Sequence, residues 1–229
     1  MYNNNNSSGD SIRINKEQQE KKQMSKPNET GGVRIEGHIK IWDPSSGEVI
    51  INKRNAIHYE NFSESLAQSI GNQQQGWIHE MSFGNGGTNV DPTGIITYLP
   101  TNTSGSNASL YNQTYYKVID VNSIYNTDPT RNKIEVRHVP GTVYTDVLVT
   151  CLLDYGEPSG QQAFDNSTNF SDTYVFDELG LRSYNINGVN TGKLLTHVIF
   201  HPVQKSLNRL IQIDYTVRIQ TLTNLSSQL

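Results

Sequence analysis

The amino-acid sequence predicts a mainly β protein: an antiparallel β-sandwich with one short docked helix and an extended polar N-terminal arm. One observation is the alternation of apolar and polar residues over 210–222. A second is composition, because only 34% of the 229 residues are hydrophobic and 17% are charged, while Asn, Ser, Thr, Gln and Gly dominate the rest. This composition is typical of strands joined by polar loops and not of a helical bundle.

The segment 210–222 carries the clearest pattern in the chain. Its apolar residues occupy every second position: Ile211, Ile213, Tyr215, Val217 and Ile219. Because successive side chains of a strand point to opposite faces, this period of two predicts one buried face and one solvated face. The segment is therefore predicted to be a half-buried antiparallel strand.

Residues 1–32 form the predicted N-terminal arm. They are rich in Asn, Ser and charged residues and hold too few apolar side chains to offset the entropy lost on ordering. Two interpretations stay open: a solubilising tail, or an arm that becomes ordered against a neighbouring subunit. The β-sandwich domain is predicted over 33–222 and a C-terminal tail over 223–229.

The domain is predicted to begin with a β-hairpin. Residues 33–42 alternate as a strand does, residues 43–47 contain Pro44 and Gly47 as turn residues, and the chain returns over 49–53. A short loop between two such runs is typical of a hairpin.

One helix is predicted, from residue 59 to residue 70. Asn61 is the expected capping residue and Gly71 the expected end. The helix is short, so it must dock by its apolar face to persist. That face is predicted to contain Tyr59, Phe62, Leu66, Ala67 and Ile70.

Further strands are predicted along the rest of the domain, over 77–83, 115–121, 133–139, 146–155 and 193–200, with a break at Pro202. In 146–155 both faces are apolar, which predicts a central strand covered on both sides. The stretches 99–112 and 156–172 are predicted to be long surface loops, where binding residues are often found.

Charge and cysteine content narrow the possible functions. The formal net charge is −4 and the pI is about 5.8, so neither nucleic acid nor an anionic membrane is an expected partner. We expect a protein made in the cytoplasm without a secretion signal or membrane anchor. Cys151 is the only cysteine, so a disulfide within the chain cannot form. Its apolar neighbours favour a buried, inert thiol.

The glycine-rich stretch 84–87 could suggest a phosphate-binding loop. Such a loop needs a following helix and a lysine, and the residues after Gly87 show neither pattern. A sharp turn that requires positive φ is the favoured interpretation.

Two other pairs could suggest a reactive site. His197 and His201 lie four residues apart, but on a strand that separation is roughly 13 Å, too far for one metal ion. Asp177 and Glu178 are adjacent, so on an extended chain they face opposite ways and cannot act on one bond. A corner in which one carboxylate accepts backbone N–H bonds is favoured. The sequence therefore predicts no catalytic, cofactor-binding or metal-binding residue and no enzyme activity.

Four pieces of the sequence occur in a recognisable order before the terminal strand. They are an Asn-rich turn leading into the helix, a strand that runs into the glycine stretch, the Phe-Asp-Glu-Leu-Gly-Leu box at 176–181, and the run 194–205. This order resembles structural proteins of tailed bacteriophage virions. The likeness covers about 33–222 and is to small β-sandwich subunits of the neck, collar, tail, baseplate or fibre attachment of contractile-tailed phages.

The resemblance implies a non-enzymatic virion building block, assembled in the host cytoplasm. Its implied partners are other virion structural proteins and further copies of itself in a symmetric homo-oligomer, with no cofactor. Six residues are implied to be architectural: Gly84, Gly86 and Gly87 would shape one corner, Glu178 and Gly180 would brace a second, and Lys205 would lie at the turn into the last strand.

A different class of function is also open. A carbohydrate- or receptor-binding β-sandwich module, as in a fibre or head decoration, would stack aromatic side chains on a sugar and bind its hydroxyls with Asn-rich loops. The candidate aromatic residues are Trp77, Tyr111, Tyr115, Tyr116 and Phe170.

Overall fold

A computed structural model describes residues 31–158 and 173–223 and shows a mainly β, sandwich-like fold. Its main compact unit spans Arg34–Gln220, and the described residues 31–33 and 221–223 belong to a second unit. The described elements, in chain order, are β1 Gly31–Trp42, β2 Val49–Ile57, helix α1 Tyr59–Ile70, a 3-10 turn Gln74–Gly76, β3 Ile78–Gly84, β4 Thr88–Val90, β5 Ile96–Tyr98, β6 Gln113–Val118, β7 Lys133–His138, β8 Tyr144–Leu153, β9 Thr173–Ser183, β10 Thr196–Ser206 and β11 Ile211–Thr223.

One large sheet contains nine of these strands in the order β6-β3-β9-β10-β2-β1-β11-β8-β7, while β4 and β5 pair with each other. Strands β10 and β2 are joined by only two residue pairs, Thr196 with Ile57 and His197 with Ala56. This narrow junction divides the sheet into a four-strand half, β6-β3-β9-β10, and a five-strand half, β2-β1-β11-β8-β7.

The core lies where the apolar faces of the two halves meet. Phe83 and Phe176 of the four-strand half belong to one buried cluster with Ile41 and Tyr215 of the five-strand half. The rings of Phe83 and Phe176 pack edge to face with centroids 5.4 Å apart, a favourable aromatic geometry. The mainly β, sandwich-like prediction is thus confirmed.

Strand β11 has the predicted alternation. Its inward residues Ile211, Ile213, Tyr215 and Val217 are at most 1% exposed, and the polar residues between them are half-buried. The strand pairs antiparallel with β8 over ten consecutive residues. The alternation thus gives β11 one buried face. In the sheet the strand lies between β1 and β8, within the five-strand half.

The predicted hairpin is present, and both of its strands are longer than predicted. Strands β1 and β2 pair antiparallel from Gly37 opposite Asn55 to Trp42 opposite Val49. In the turn the carboxylate of Asp43 accepts the N–H of Ser45 at 2.8 Å.

Helix α1 has the predicted bounds, but its cap differs from the prediction. His58 caps the helix, because its Nδ1 accepts the N–H of Asn61 at 3.2 Å. The Asn61 side chain instead donates to the carbonyl of Leu194 at 2.9 Å. Asn61 is buried beside the residues that precede β10, and its side chain bonds Leu194 there. It therefore does not cap the helix, contrary to the prediction from the sequence pattern.

The docked face of α1 is also different from the predicted apolar face. Phe62 is buried as expected, whereas Tyr59 and Ile70 are 70% and 80% exposed. Ser65 is buried, and its hydroxyl donates to the carbonyl of Gly76. The helix packs so closely on the 3-10 turn that small polar residues, and not the large apolar ones, form this contact.

Two predictions about the strands are wrong. Strand β8 is second from the β7 edge of the sheet and not central, and it is buried on both faces only from Cys151 to Leu153. Strand β10 continues through Pro202, with a register shift between Ile199 and Val203. The strand pairing is interrupted at this register shift, so no ladder hydrogen bond is required from the backbone nitrogen of Pro202. The proline is therefore tolerated within the strand.

Part of the predicted organisation lies outside the described residues. This holds for 1–30 of the N-terminal arm, for 159–172 of the second long loop and for 224–229 of the tail. The first predicted loop, 99–112, is described and contains no regular element.

Candidate functional site

A buried polar cluster lies in the four-strand half, and we call its residues Asp177, Glu178 and His197 the carboxylate cluster. Asp177 and Glu178 are in β9, which pairs with β3 on one side and β10 on the other, and His197 is in β10. The side chains of Glu178 and His197 have no exposed surface, and Glu178 Oε2 lies 2.9 Å from His197 Nε2. Buried charge of this kind requires a full set of hydrogen-bond partners.

Glu178 uses every acceptor position of its carboxylate. Its Oε1 accepts the backbone N–H groups of Gly86 at 3.2 Å and Asn112 at 2.8 Å. Its Oε2 accepts the N–H of Tyr111 at 3.0 Å and the ring nitrogen of His197. An ionised carboxylate has about four lone-pair sites, so Glu178 fixes two loops on the sheet.

The hydrogen bonds of His197 assign its tautomer. Its Nδ1 accepts the N–H of Asn102 at 2.7 Å and therefore carries no proton. Its Nε2 then carries the proton and donates it to Glu178. Neither nitrogen of this neutral ring has a lone pair left for a metal ion.

The other histidine of the suggested pair has different surroundings. His201 is exposed, and its Nδ1 lies 3.5 Å from the hydroxyl of Tyr98. Within residues 31–158 and 173–223, no three His, Cys, Asp or Glu residues are grouped so that they could hold a metal ion.

Asp177 binds the same glycine stretch as Glu178. Its Oδ1 accepts the N–H of Gly87 at 2.9 Å, and its Oδ2 accepts both the N–H and the hydroxyl of Thr88. The predicted separation into two corners is therefore corrected. Gly84 lies directly opposite Glu178 in the β3–β9 register, which brings both carboxylates to one turn.

The glycines of this turn are required for a reason other than the predicted one. None of Gly84, Gly86 and Gly87 has a positive φ. A Cβ on Gly84 would lie 2.5 Å from both the carbonyl oxygen of Asn112 and Oε1 of Glu178, and one on Gly86 would lie 2.7 Å from the nitrogen of Asn112. Close approach of the two loops to the carboxylates, and not backbone strain, excludes larger residues.

Gly180 and Lys205 lie away from this turn. A Cβ on Gly180 would lie 2.3 Å from the carbonyl oxygen of Thr196, so this glycine allows β9 and β10 to approach closely. Lys205 is the second-last residue of β10, just before the turn into β11, and is fully buried. Its Nζ donates to the carbonyls of Asp154, Glu157 and Ser206 at 2.8–2.9 Å.

The pKa values of the two neighbouring carboxyl groups are shifted in opposite directions. Burial raises the pKa of Asp177 above its ordinary value. Burial alone would also raise the pKa of Glu178, but hydrogen bonds from His197, Asn112 and Tyr111 outweigh it and lower that pKa. Carboxyl pairs with separated pKa values are used in acid–base catalysis. Here both groups are covered and bonded to backbone amides, so the arrangement anchors loops.

Sequence reasoning missed a second buried polar pair, Glu80 with Arg182. The two residues are paired opposite each other in the β3–β9 register, and they are 1% and 7% exposed. Arg182 donates to the carbonyl of Gly192 at 2.8 Å, and Oε2 of Glu80 accepts the N–H of Asn190 at 2.9 Å. An acidic residue on one strand and a basic residue on another can predict such a pair. This prediction requires the strand pairing, which the sequence alone does not give.

The suggested sugar-stacking residues do not form one surface. Tyr115 is 6% exposed and belongs to the core, while Tyr111 is 43% exposed beside the carboxylate cluster. Tyr116 is half-buried and Trp77 lines a separate cleft. Phe170 lies outside the described residues.

No protein-family model matches this chain, and no significant match was found among curated proteins or solved structures. The resemblance to phage structural proteins therefore stays a prediction that rests on the four pieces of sequence. Among the described residues, no helix has the length and apolar character needed to cross a membrane.

Proposed function

We propose that the protein is a non-enzymatic building block of a tailed-phage virion, in the neck, collar, tail or baseplate. The proposal is supported by the hydrogen bonds that the carboxylate cluster makes to the backbone of two loops. Its two carboxylates are covered and bonded to backbone N–H groups of the glycine turn, and Glu178 also binds those of Tyr111 and Asn112. Such bonding gives one end of the sandwich a fixed shape, which suits a subunit that must present a constant surface to its neighbours.

An apolar groove on the main unit supports association with a further copy of the chain. It lies between α1, strands of the five-strand half, and the segments 76–78 and 120–122, and has a volume of about 430 Å³. Val136 on its wall is 72% exposed, and Ile70, next to its lining residue Ser69, is 80% exposed. A patch that has both a groove and a protruding apolar side chain can be self-complementary about a two-fold axis.

Light scattering coupled to size exclusion tests this association. We expect the wild-type chain to elute as a symmetric oligomer and Val136→Asp to shift it toward the monomer, because a carboxylate would be buried without a partner. Val90→Asp is the matched control, since Val90 is 62% exposed on β4 and does not line the groove. A monomeric wild type at every concentration would contradict the proposed self-association, and an equal effect of both variants would exclude the groove.

Deletion of residues 1–32 tests the role of the N-terminal arm. If the arm grips neighbouring subunits, the shortened chain should enter virus particles less efficiently than the full chain. Protein quantification in purified particles measures this. Undiminished incorporation would remove the arm from the mechanism.

A further inference from the structure

A cleft of about 360 Å³ opens beside β3, where three segments around residues 77, 122 and 185 meet. Trp77, Tyr125 and Tyr184 contribute aromatic rings to its wall, and Asp120 and Asn122 contribute polar groups. Its volume lies in the range of small-molecule sites, about 300–1,000 Å³. The carboxylate cluster does not line it.

The walls of the cleft are held in place by protein contacts. The N–H of Tyr184 donates to the carbonyl of Trp77 at 2.8 Å. The Tyr184 ring packs edge to face on His79 with centroids 5.2 Å apart, and His79 Nδ1 lies 3.4 Å from Asp120 Oδ2. Asp120 Oδ1 also accepts the N–H of Asn122 at 2.9 Å. A site fixed before its ligand arrives loses less entropy on binding.

Several polar groups at the cleft remain available to a ligand. The indole N–H of Trp77, the side-chain amide of Asn122 and the hydroxyl of Tyr184 make no hydrogen bond within the described parts of the chain. They supply both donors and acceptors beside flat apolar rings.

We propose that this cleft binds a neutral saccharide. Aromatic rings match the C–H faces of a pyranose, while amide, carboxylate and hydroxyl groups bond its ring hydroxyls. Of the described lining residues, none is Lys or Arg, and Asp120 supplies a negative charge, so acidic sugars are disfavoured. This binding goes beyond the assembly role. Because Trp77, Asp120 and Asn122 also line the apolar groove, size exclusion of each cleft variant is run beside the titrations, so that a failure of binding and a failure of self-association are read separately.

The two tryptophans of the chain provide a direct assay. Trp42 is in β1, hydrogen-bonded to Asp214 at 2.8 Å, and it does not line the cleft. In Trp42→Phe the only indole is therefore Trp77. Glycans that bind in a neutral-glycan array, together with lactose and sialyllactose, are titrated against this variant. We expect a saturable fluorescence change with a neutral glycan, no such change in Trp77→Phe, and weaker binding of sialyllactose than of lactose.

Two asparagine variants separate the cleft from general effects. Asn122→Ala should weaken binding of the same glycan about fivefold, as loss of one hydrogen bond of about 1 kcal/mol predicts. Asn107→Ala, an exposed asparagine on another loop, should leave the affinity unchanged. Circular dichroism of each variant confirms that the fold is retained. Silence of the whole neutral array, an unchanged response in folded Trp77→Phe, or tighter binding of sialyllactose would overturn the proposal.

Discussion

Lys205 shows at the residue scale how a charged side chain can serve architecture. It is fully buried, and its ammonium group joins the end of β10 to the carbonyls that follow β8. Burial lowers its pKa from 10.5 to about 8. The group therefore costs stability while it is charged, and its three carbonyl contacts offset part of that cost.

The Lys205 pKa predicts a pH dependence of stability. Between about pH 8 and pH 10.5 the unfolded chain binds more protons at this site than the folded chain, so the free energy of unfolding should gain from this residue as the pH rises. Urea unfolding of the wild type and of Lys205→Met across this range measures the effect as their difference, because other titrations are common to both. Lys133→Met, in edge strand β7, is the control. The free energy of unfolding of the wild type minus that of Lys205→Met should rise with pH over this range, and a value that stays constant or falls would contradict the shift.

Residue types were easier to predict than residue roles. Cys151 is buried as its apolar neighbours predicted, and burial raises its pKa to about 12. The pattern also favoured a carboxylate that accepts backbone N–H bonds, and Glu178 does so. The roles of Asn61 and His197 depend on Leu194 and Asn102, which lie 133 and 95 positions away, and no local pattern carries that information.

Strand pairing explains the glycines at the element scale. Gly180 lies in β9 where the backbone of β10 passes close to it, at a distance that leaves no room for a Cβ. The sequence marked Gly180 through its resemblance to phage proteins, but the physical reason is the approach of Thr196.

Gly180→Ala should separate β9 from β10. A methyl group 2.3 Å from the carbonyl oxygen of Thr196 must displace backbone, and we expect a loss of about 3 kcal/mol in the free energy of unfolding, as for severe overpacking. Chemical denaturation measures this loss. Gly32→Ala is the control, because its Cβ would lie 3.8 Å from the nearest atom. Equal stability of Gly180→Ala and wild type would contradict the close approach.

Elements with a period of two were predictable, whereas elements defined by distant partners were not. Strand β11 and the β1–β2 hairpin follow from alternation and turn residues alone. The continuation of β10 through Pro202 and the position of β8 near an edge depend on which strands lie alongside. Helix α1 was predictable in extent, but its buried face is set by its contact with Gly76.

At the scale of the whole molecule, the two halves of the sheet share one core. They are joined through the sheet by only two residue pairs between β10 and β2, while apolar side chains from both halves form a single buried cluster. Because neither half buries its apolar face alone, the halves should unfold together.

Trp42 and Trp77 can test this coupling, because Trp42 lies in the five-strand half and Trp77 directly precedes β3 of the four-strand half. In each of Trp42→Phe and Trp77→Phe, the remaining tryptophan should report the same denaturation midpoint as circular dichroism of that variant. A fluorescence midpoint that departs from the circular dichroism midpoint in either variant would mean that the halves unfold separately.

The buried carboxylates hold loops on the sheet, and site-resolved hydrogen exchange of backbone amides measures how firmly they do so. In the wild type, the amides of Gly86, Tyr111 and Asn112, which bond Glu178, and those of Gly87 and Thr88, which bond Asp177, should exchange as slowly as core-strand amides. In Glu178→Gln one accepting oxygen becomes a donor, so either Tyr111 or the pair Gly86 and Asn112 should lose protection, while Gly87 and Thr88 keep it. Rapid exchange of these five amides in the wild type would mean that the carboxylates do not hold the loops.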